Sequence, residues 1–272
     1  MTMSRSLLLA LLTAGALQGL AFSQEAPAQN QALPAHAERF SNLPEETRKE
    51  YGQHRLKAEQ FFRQKRIFEA LDQIHQGLAV FDEDPNLWNL KGSCHVEFRS
   101  FEKALEAFEK AYAIDSRNSG YLFNIAEMHF VLKNWEECLQ GMAELRSRLD
   151  SEVGAAEKMP EPVLNLYRLS LFKSMLCHLK LGNEEKAREI ATANSVDFDD
   201  TPFTYYAKAA LAFHEDDREA ASDWIRSAVT VFGGVQNVAN WQDTIIEFGY
   251  VKSLYGGGEE EEELATPDSI GE

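Results

Sequence analysis

Residues 88–115 read WNLKGSCHVEFRSFEKALEAFEKAYAID, and the second half of this stretch places Phe101, Ala104, Phe108 and Ala111 at helical spacing. The same phrase stands one period earlier as Ile67, Ala70, Ile74 and Gly77, and one period later as Trp135, Cys138, Met142 and Leu145. Counting 34 residues from Ala70 gives Ala104, and another 34 gives Cys138. After a 15-residue insertion the same step leads from Ala187 to Ala221. Twelve residues upstream of these small residues stand Ala58, Gly92, Ala126, Met175 and Ala209. A fixed period with small side chains at two slots predicts stacked helix pairs whose axes approach to about 8–10 Å.

The rest of the chain divides around this array. Arg5, the apolar stretch Leu7–Leu20 and the small-x-small triplet Ala21-Phe22-Ser23 have the pattern of a secretory signal peptide over residues 1–23, cleaved near Ser23. That apolar stretch is short for a membrane span, which needs about 20 apolar residues. The chain is therefore expected to be exported, periplasmic or secreted, and not membrane-embedded. Residues 24–42 are rich in Gln, Ala and Pro and read as a linker. Helical pattern begins near Leu43-Pro44-Glu45-Glu46, and the repeat region is expected over 43–255, with an irregular insertion near 150–161. In that insertion, Gly154, Pro160 and Pro162 leave two options, a long second helix or a projecting loop. Val238, Trp241, Ile245, Phe248 and Val251 predict one terminal amphipathic helix covering the last apolar face. Residues 256–272, with Gly256–Gly258 and Glu259–Glu263, read as a disordered acidic tail.

The 34-residue unit resembles the tetratricopeptide repeat (TPR), a helix–turn–helix module of that length. The resemblance implies an all-α solenoid of about five helix pairs plus a capping helix, with pairs near 51–82, 85–116, 119–150, 161–199 and 202–234. Units two and three match the repeat most fully. The first has His54 where a large aromatic is usual, and the fourth has Met175 and Asn194 at small-residue slots. The family's proline after the second helix is missing throughout, with Asp82, Ser116, Asp150, Asp199 and Gly233 in its place. Asp and Gly turn chemistry can stand in for it.

In TPR proteins the first helix of each pair lines a concave groove. By that resemblance the groove begins polar, at Arg55, Glu59, Asn89 and Ser93, and turns apolar over units three to five. There it is expected to consist of Phe123, Phe130, Val131, Leu169, Phe172, Leu176, Leu179, Phe203, Tyr206 and Phe213. Two readings follow. The strip binds a protein or peptide partner with apolar anchors, as an apolar helix or extended segment, or the chain's own segment covers it in a structural subunit of an envelope assembly. The carboxylate clamp familiar in the family is not matched, because Phe123, Glu127, Phe172 and Leu176 occupy positions that would supply Lys, Arg and Asn.

Other features are read structurally. With positions counted from the first residue of each 34-residue unit, at 51, 85, 119, 168 and 202, His95, His129 and His178 hold position eleven of three successive units, too far apart at helix-to-helix spacing for Zn–N bonds of about 2.1 Å. They read as packed rings, and no metal site is expected. Lys57, Lys91 and Lys208 recur at position seven, where a lysine stem can lie on apolar surface. Cys94, Cys138 and Cys177 all fall inside the helical pattern and read as packed thiols, with one disulfide left open. A net charge of −17 disfavours nucleic acid as partner. Neither a nucleophile signature nor a phosphate-binding glycine loop is present, so neither catalysis nor a cofactor is expected.

Overall fold

A computed structural model describes residues 33–154, 158–195 and 201–251, and the expected signal peptide and acidic tail lie outside these. The described residues form helices and turns only. After α1 (Ala35–Ser41), five helix pairs follow: α2 (Glu45–Arg63) with α3 (Ile67–Val80), α4 (Pro85–Glu97) with α5 (Phe101–Ile114), α6 (Ser119–Val131) with α7 (Trp135–Val153), α8 (Glu161–Lys180) with α9 (Glu184–Asn194), and α10 (Phe203–His214) with α11 (Arg218–Val231). A last helix, α12 (Val235–Phe248), closes the array. The architecture is an all-α solenoid in the register that the 34-residue period predicts.

The small residues sit where the two helices of a pair cross. Ala58, Ala70, Ala104, Ala126, Cys138, Ala209 and Ala221 are fully buried. At Gly92 the approach is closest, since a Cβ there would stand 2.4 Å from the Phe108 ring. Gly141 meets Ala126 in the same way, at 2.8 Å.

Each first helix ends alike. The backbone N–H groups of Arg66, Ser100, Asn134, Asn183 and Asp217 donate to the carbonyls five residues back, at 2.8–2.9 Å. This is the Schellman closure, and it needs one residue in the left-handed region. Lys65, Arg99, Lys133, Gly182 and Asp216 adopt it, with φ between 55° and 75°. Only one of the five is glycine, so the turn is held by the bonds around it rather than by local preference.

Between neighbouring pairs a polar ladder joins the first helices. The Tyr51 hydroxyl donates to Asp84, which also caps α4 by accepting from the Asn86 N–H at 2.8 Å. Tyr121 donates to Asn86, and Asn124 to Asn89, both at 2.8 Å. These bonds fix one pair against the next.

Two segments differ from their expected form or settle an open choice. Residues 35–41, expected as linker, form α1. Pro34 precedes the first turn, and Phe40 packs on Tyr51 and Phe81 with ring centroids 5.1 and 5.2 Å apart. Around the insertion both flanking helices run long, α7 to Val153 and α8 from Glu161. Arg146 ties them, donating to the Ser170 carbonyl at 3.1 Å and to Ser174 Oγ at 2.9 Å.

Two glycine substitutions test the packing in opposite directions. Gly92→Ala forces a methyl into the buried Phe108 ring and is expected to cost about 1–3 kcal/mol. Gly52→Ala, with nothing within 4 Å of the added Cβ, is expected to gain about 0.5–1 kcal/mol from lower chain entropy in the helix. Chemical unfolding of the two variants checks the pair.

Candidate functional site: the groove of repeats three to five

The sequence of α8 is apolar almost all round its circumference. Burial on every side is the physical consequence, and Leu169, Phe172, Met175, Leu176 and Leu179 are all buried. On the groove side these residues meet Phe123 and Phe130 of α6 and Phe203 and Tyr206 of α10 in one continuous cluster. Phe213 packs against its edge, half-buried. Val131 is also half-buried but stands outside the cluster. The expected groove residues, Val131 excepted, thus belong to or pack against one buried cluster.

α12 packs into that cluster. Trp241 enters among Phe172, Tyr206 and Phe203, with ring centroids 5.6, 5.8 and 6.5 Å away. Two turns on, Phe248 stacks on Phe130 at 6.2 Å with an interplanar angle of 22°. Trp135 meets the same ring at 6.0 Å, and Lys180 Nζ lies 4.5 Å from its centroid. Val238 and Ile245 fill the same face of α12 and are fully buried. Each large apolar side chain buried in this way contributes about 1.5–3 kcal/mol. Beyond the helix, Tyr250 stacks on Phe213 at 5.2 Å. The turn into α12 is made by Gly233 and Gly234, with φ of 73° and 128°, conformations open to glycine.

Within the apolar contact lies one ionic cluster. Lys173 of α8 is fully buried. Its Nζ donates to Glu127 of α6 at 2.8 Å and to Glu247 of α12 at 3.2 Å, and stands 4.1 Å from the centre of the Phe130 ring. Lys173 therefore bridges the wall of the groove to the helix inside it. Burial opposes the lysine's charge, but Glu127 and Glu247 outweigh it and hold its pKa above the ordinary value.

The carboxylates are less well served. Burial raises Glu127 above the ordinary carboxylate range, Lys173 pulls it back and Glu247 raises it further. Glu127 Oε2 is buried and has no hydrogen-bond partner. Asp243, one turn before Glu247 on α12, is likewise pushed up to about 7 by burial and then by the Glu247 charge. Three acids share one lysine.

Lys173 is the part of the site that the repeat pattern did not single out. Its only signal in the sequence is one lysine within LSLFKSMLCHL, residues 169–179, an otherwise apolar and small run.

Of the other features flagged by the sequence, Cys138 and Cys177 belong to the same apolar cluster as the groove residues. His95 and His178 are half-buried, and burial lowers the pKa of each. Among the described residues no group of three or more His, Cys, Asp or Glu side chains could hold a metal ion. Cys94, Cys138 and Cys177 are buried free thiols, and Cys138 and Cys177 touch. Lys91 and Lys208 lie over the rings of Trp88 and Trp224, at 4.7 and 4.3 Å, with their stems along the helix surface.

A family comparison agrees with this architecture over one repeat. A protein-family profile described as Tetratricopeptide repeat matches residues 85–118, so the chain carries a TPR unit there, within a TPR-like solenoid. No curated protein sequence matches the chain. A solved structure from the functional characterization of Pseudomonas aeruginosa pilF aligns over 73% of this chain and 99% of that one, at 15% identity and a TM-score of 0.36. Among the described residues no helix is long and apolar enough to cross a membrane.

The raised carboxylates give the site a pH dependence. An ordinary Asp or Glu in the unfolded chain has lost its proton by about pH 4.5. Burial holds Glu127 and Asp243 above that range in the folded chain, Asp243 at about 7. The folded state binds more protons across that window, so these groups favour folding as pH falls from 8 towards 5. The thermal midpoint is expected to be higher at pH 5.5 than at pH 8. Asp243→Asn is expected to flatten that difference, which isolates this site from the general easing of repulsion in an acidic chain.

Proposed function

We propose that this solenoid, which carries a TPR unit at residues 85–118, is a scaffold for protein–protein interaction. We propose that its recognition element is the concave groove of repeats three to five, and that the groove takes one amphipathic helix with apolar anchors. The observation that carries this reading is α12, which lies there with Trp241 and Phe248 inserted between α6, α8 and α10. Such a groove supplies several deep aromatic contacts at once, enough for micromolar affinity after the cost of association. In the resting chain α12 is tethered beside the groove at high effective concentration and holds the site against weak competitors. The protein acts by binding rather than catalysis, with neither cofactor nor metal. It works outside the cytoplasm, in the periplasm or as a secreted protein, on the strength of the signal-like residues 1–23, and this requires a mature chain starting near Gln24.

A second reading makes the chain a structural subunit whose groove is filled for good. The buried Lys173 favours it, because removing Glu247 strands a charge and opening is expensive. Hydrogen exchange on the full chain separates the two. If the groove serves partners, α12 amides exchange through an opening cheaper than the one that exposes α6 and α8. If α12 exchanges only together with α8, the groove never empties and the structural reading replaces the binding one.

A further inference from the structure

The arrangement of charge beneath α12 says what kind of helix the groove prefers. Lys173 has Glu127 permanently on one side, from α6. The lysine sits 4.1 Å above the Phe130 ring and is sealed from water, so it needs a further anionic acceptor from whatever occupies the groove. On α12 that acceptor is Glu247, at 3.2 Å. Asp243 sits four residues earlier on the same helix, and both Glu247 and Glu127 repel it. Like charges at that spacing destabilise a helix by themselves, and burial sharpens the effect. The internal helix is therefore an imperfect occupant, matched in its aromatic anchors and its one useful carboxylate but overcharged by one acid. The groups facing this cluster are Glu127 and Phe130 from α6, the Cys138 thiol from α7, Lys173 from α8, and Asp243 and Glu247 from α12.

We propose that the groove selects an amphipathic helix with large apolar anchors seven residues apart, as Trp241 and Phe248 are, a carboxylate in the place of Glu247, and a neutral residue in the place of Asp243. Such a helix keeps the ion pair with Lys173 and drops the repulsion, so it displaces α12. This rests on the binding reading of the groove and adds to it the chemistry of the partner. Charge complementarity at Lys173 sets the specificity, and the aromatic pair sets the affinity.

The test uses labelled peptides of residues 235–251 in three forms: the chain's own sequence, Asp243→Asn and Glu247→Gln. The host is the full chain with Trp241→Ala and Phe248→Ala, which loosens the internal helix but leaves the groove walls intact. By fluorescence anisotropy at pH 8, the Asp243→Asn peptide is expected to bind at least about tenfold tighter than the unaltered peptide, and the Glu247→Gln peptide at least about tenfold weaker. At pH 5.5 the advantage of Asp243→Asn is expected to shrink as the aspartate takes up its proton. Equal binding of all three peptides overturns the charge rule even if hydrogen exchange shows α12 opening, so this failure is distinct from failure of the binding reading. A host that sediments as a dimer makes a second copy's α12 the occupant and overturns the partner assignment. Should the double variant lose its helical circular dichroism, Phe248→Ala alone is the host, and loss of fold there too makes α12 a permanent part of the core and ends the proposal.

Discussion

The close crossing of the two helices in each repeat is the constraint on which everything else rests. At positions eight and twenty the chain places Ala58 and Ala70, Gly92 and Ala104, Ala126 and Cys138, and Ala209 and Ala221. The alanines and Cys138 among them are fully buried, and a Cβ added at Gly92 would stand 2.4 Å from the Phe108 ring. Once two helices are held that close, the turn between them has little freedom. The five Schellman closures follow, four of them through a residue with a side chain in the left-handed region. Identical turns repeat the same rotation from one pair to the next, and a concave surface results.

The groove is where that regularity is used. α6, α8 and α10 present Phe123, Phe130, Phe172, Phe203 and Tyr206 on one side because positions two, five and twelve return to the same helix face. A strip of this kind, left bare, is a large exposed apolar patch. The chain covers it with α12, and an ionic contact is set into the cover where Lys173 meets Glu127 and Glu247. Burial there raises Glu127 and Asp243 above the ordinary carboxylate range. Apolar burial supplies the strength of the contact, and the ionic cluster fixes which residue stands opposite which.

Much of this was legible in the sequence because a repeat prints its own register. The helix pairs and the buried small slots follow from the spacing around Ala70, Ala104 and Cys138, and the aromatic strip was read from the resemblance to the TPR. The amphipathic pattern of Val238, Trp241, Ile245 and Phe248 likewise foretold a covering helix. Where it would lie was not legible, since the pattern gives a helix its apolar face but not the surface that receives it. Lys173 was invisible for a related reason. A lysine on an apolar helix has the same one-letter pattern whether it snorkels to water, as Lys208 does over Trp224, or is sealed under another segment. Only the long-range partner Glu247 distinguishes the two cases. α1 was missed because its stability comes from Phe40 against Tyr51 and Phe81, a tertiary contact, rather than from any periodicity of its own.

The claim that α12 lies in the groove is tested most directly by the coupling between two residues distant in sequence. A double-mutant cycle with Phe130→Leu and Phe248→Leu, read by chemical unfolding, reports whether the two rings touch. Stacked as they are at 6.2 Å, they are expected to show a coupling of about 0.5–1.5 kcal/mol. Strict additivity, with coupling below about 0.3 kcal/mol, would place α12 elsewhere and contradict the account.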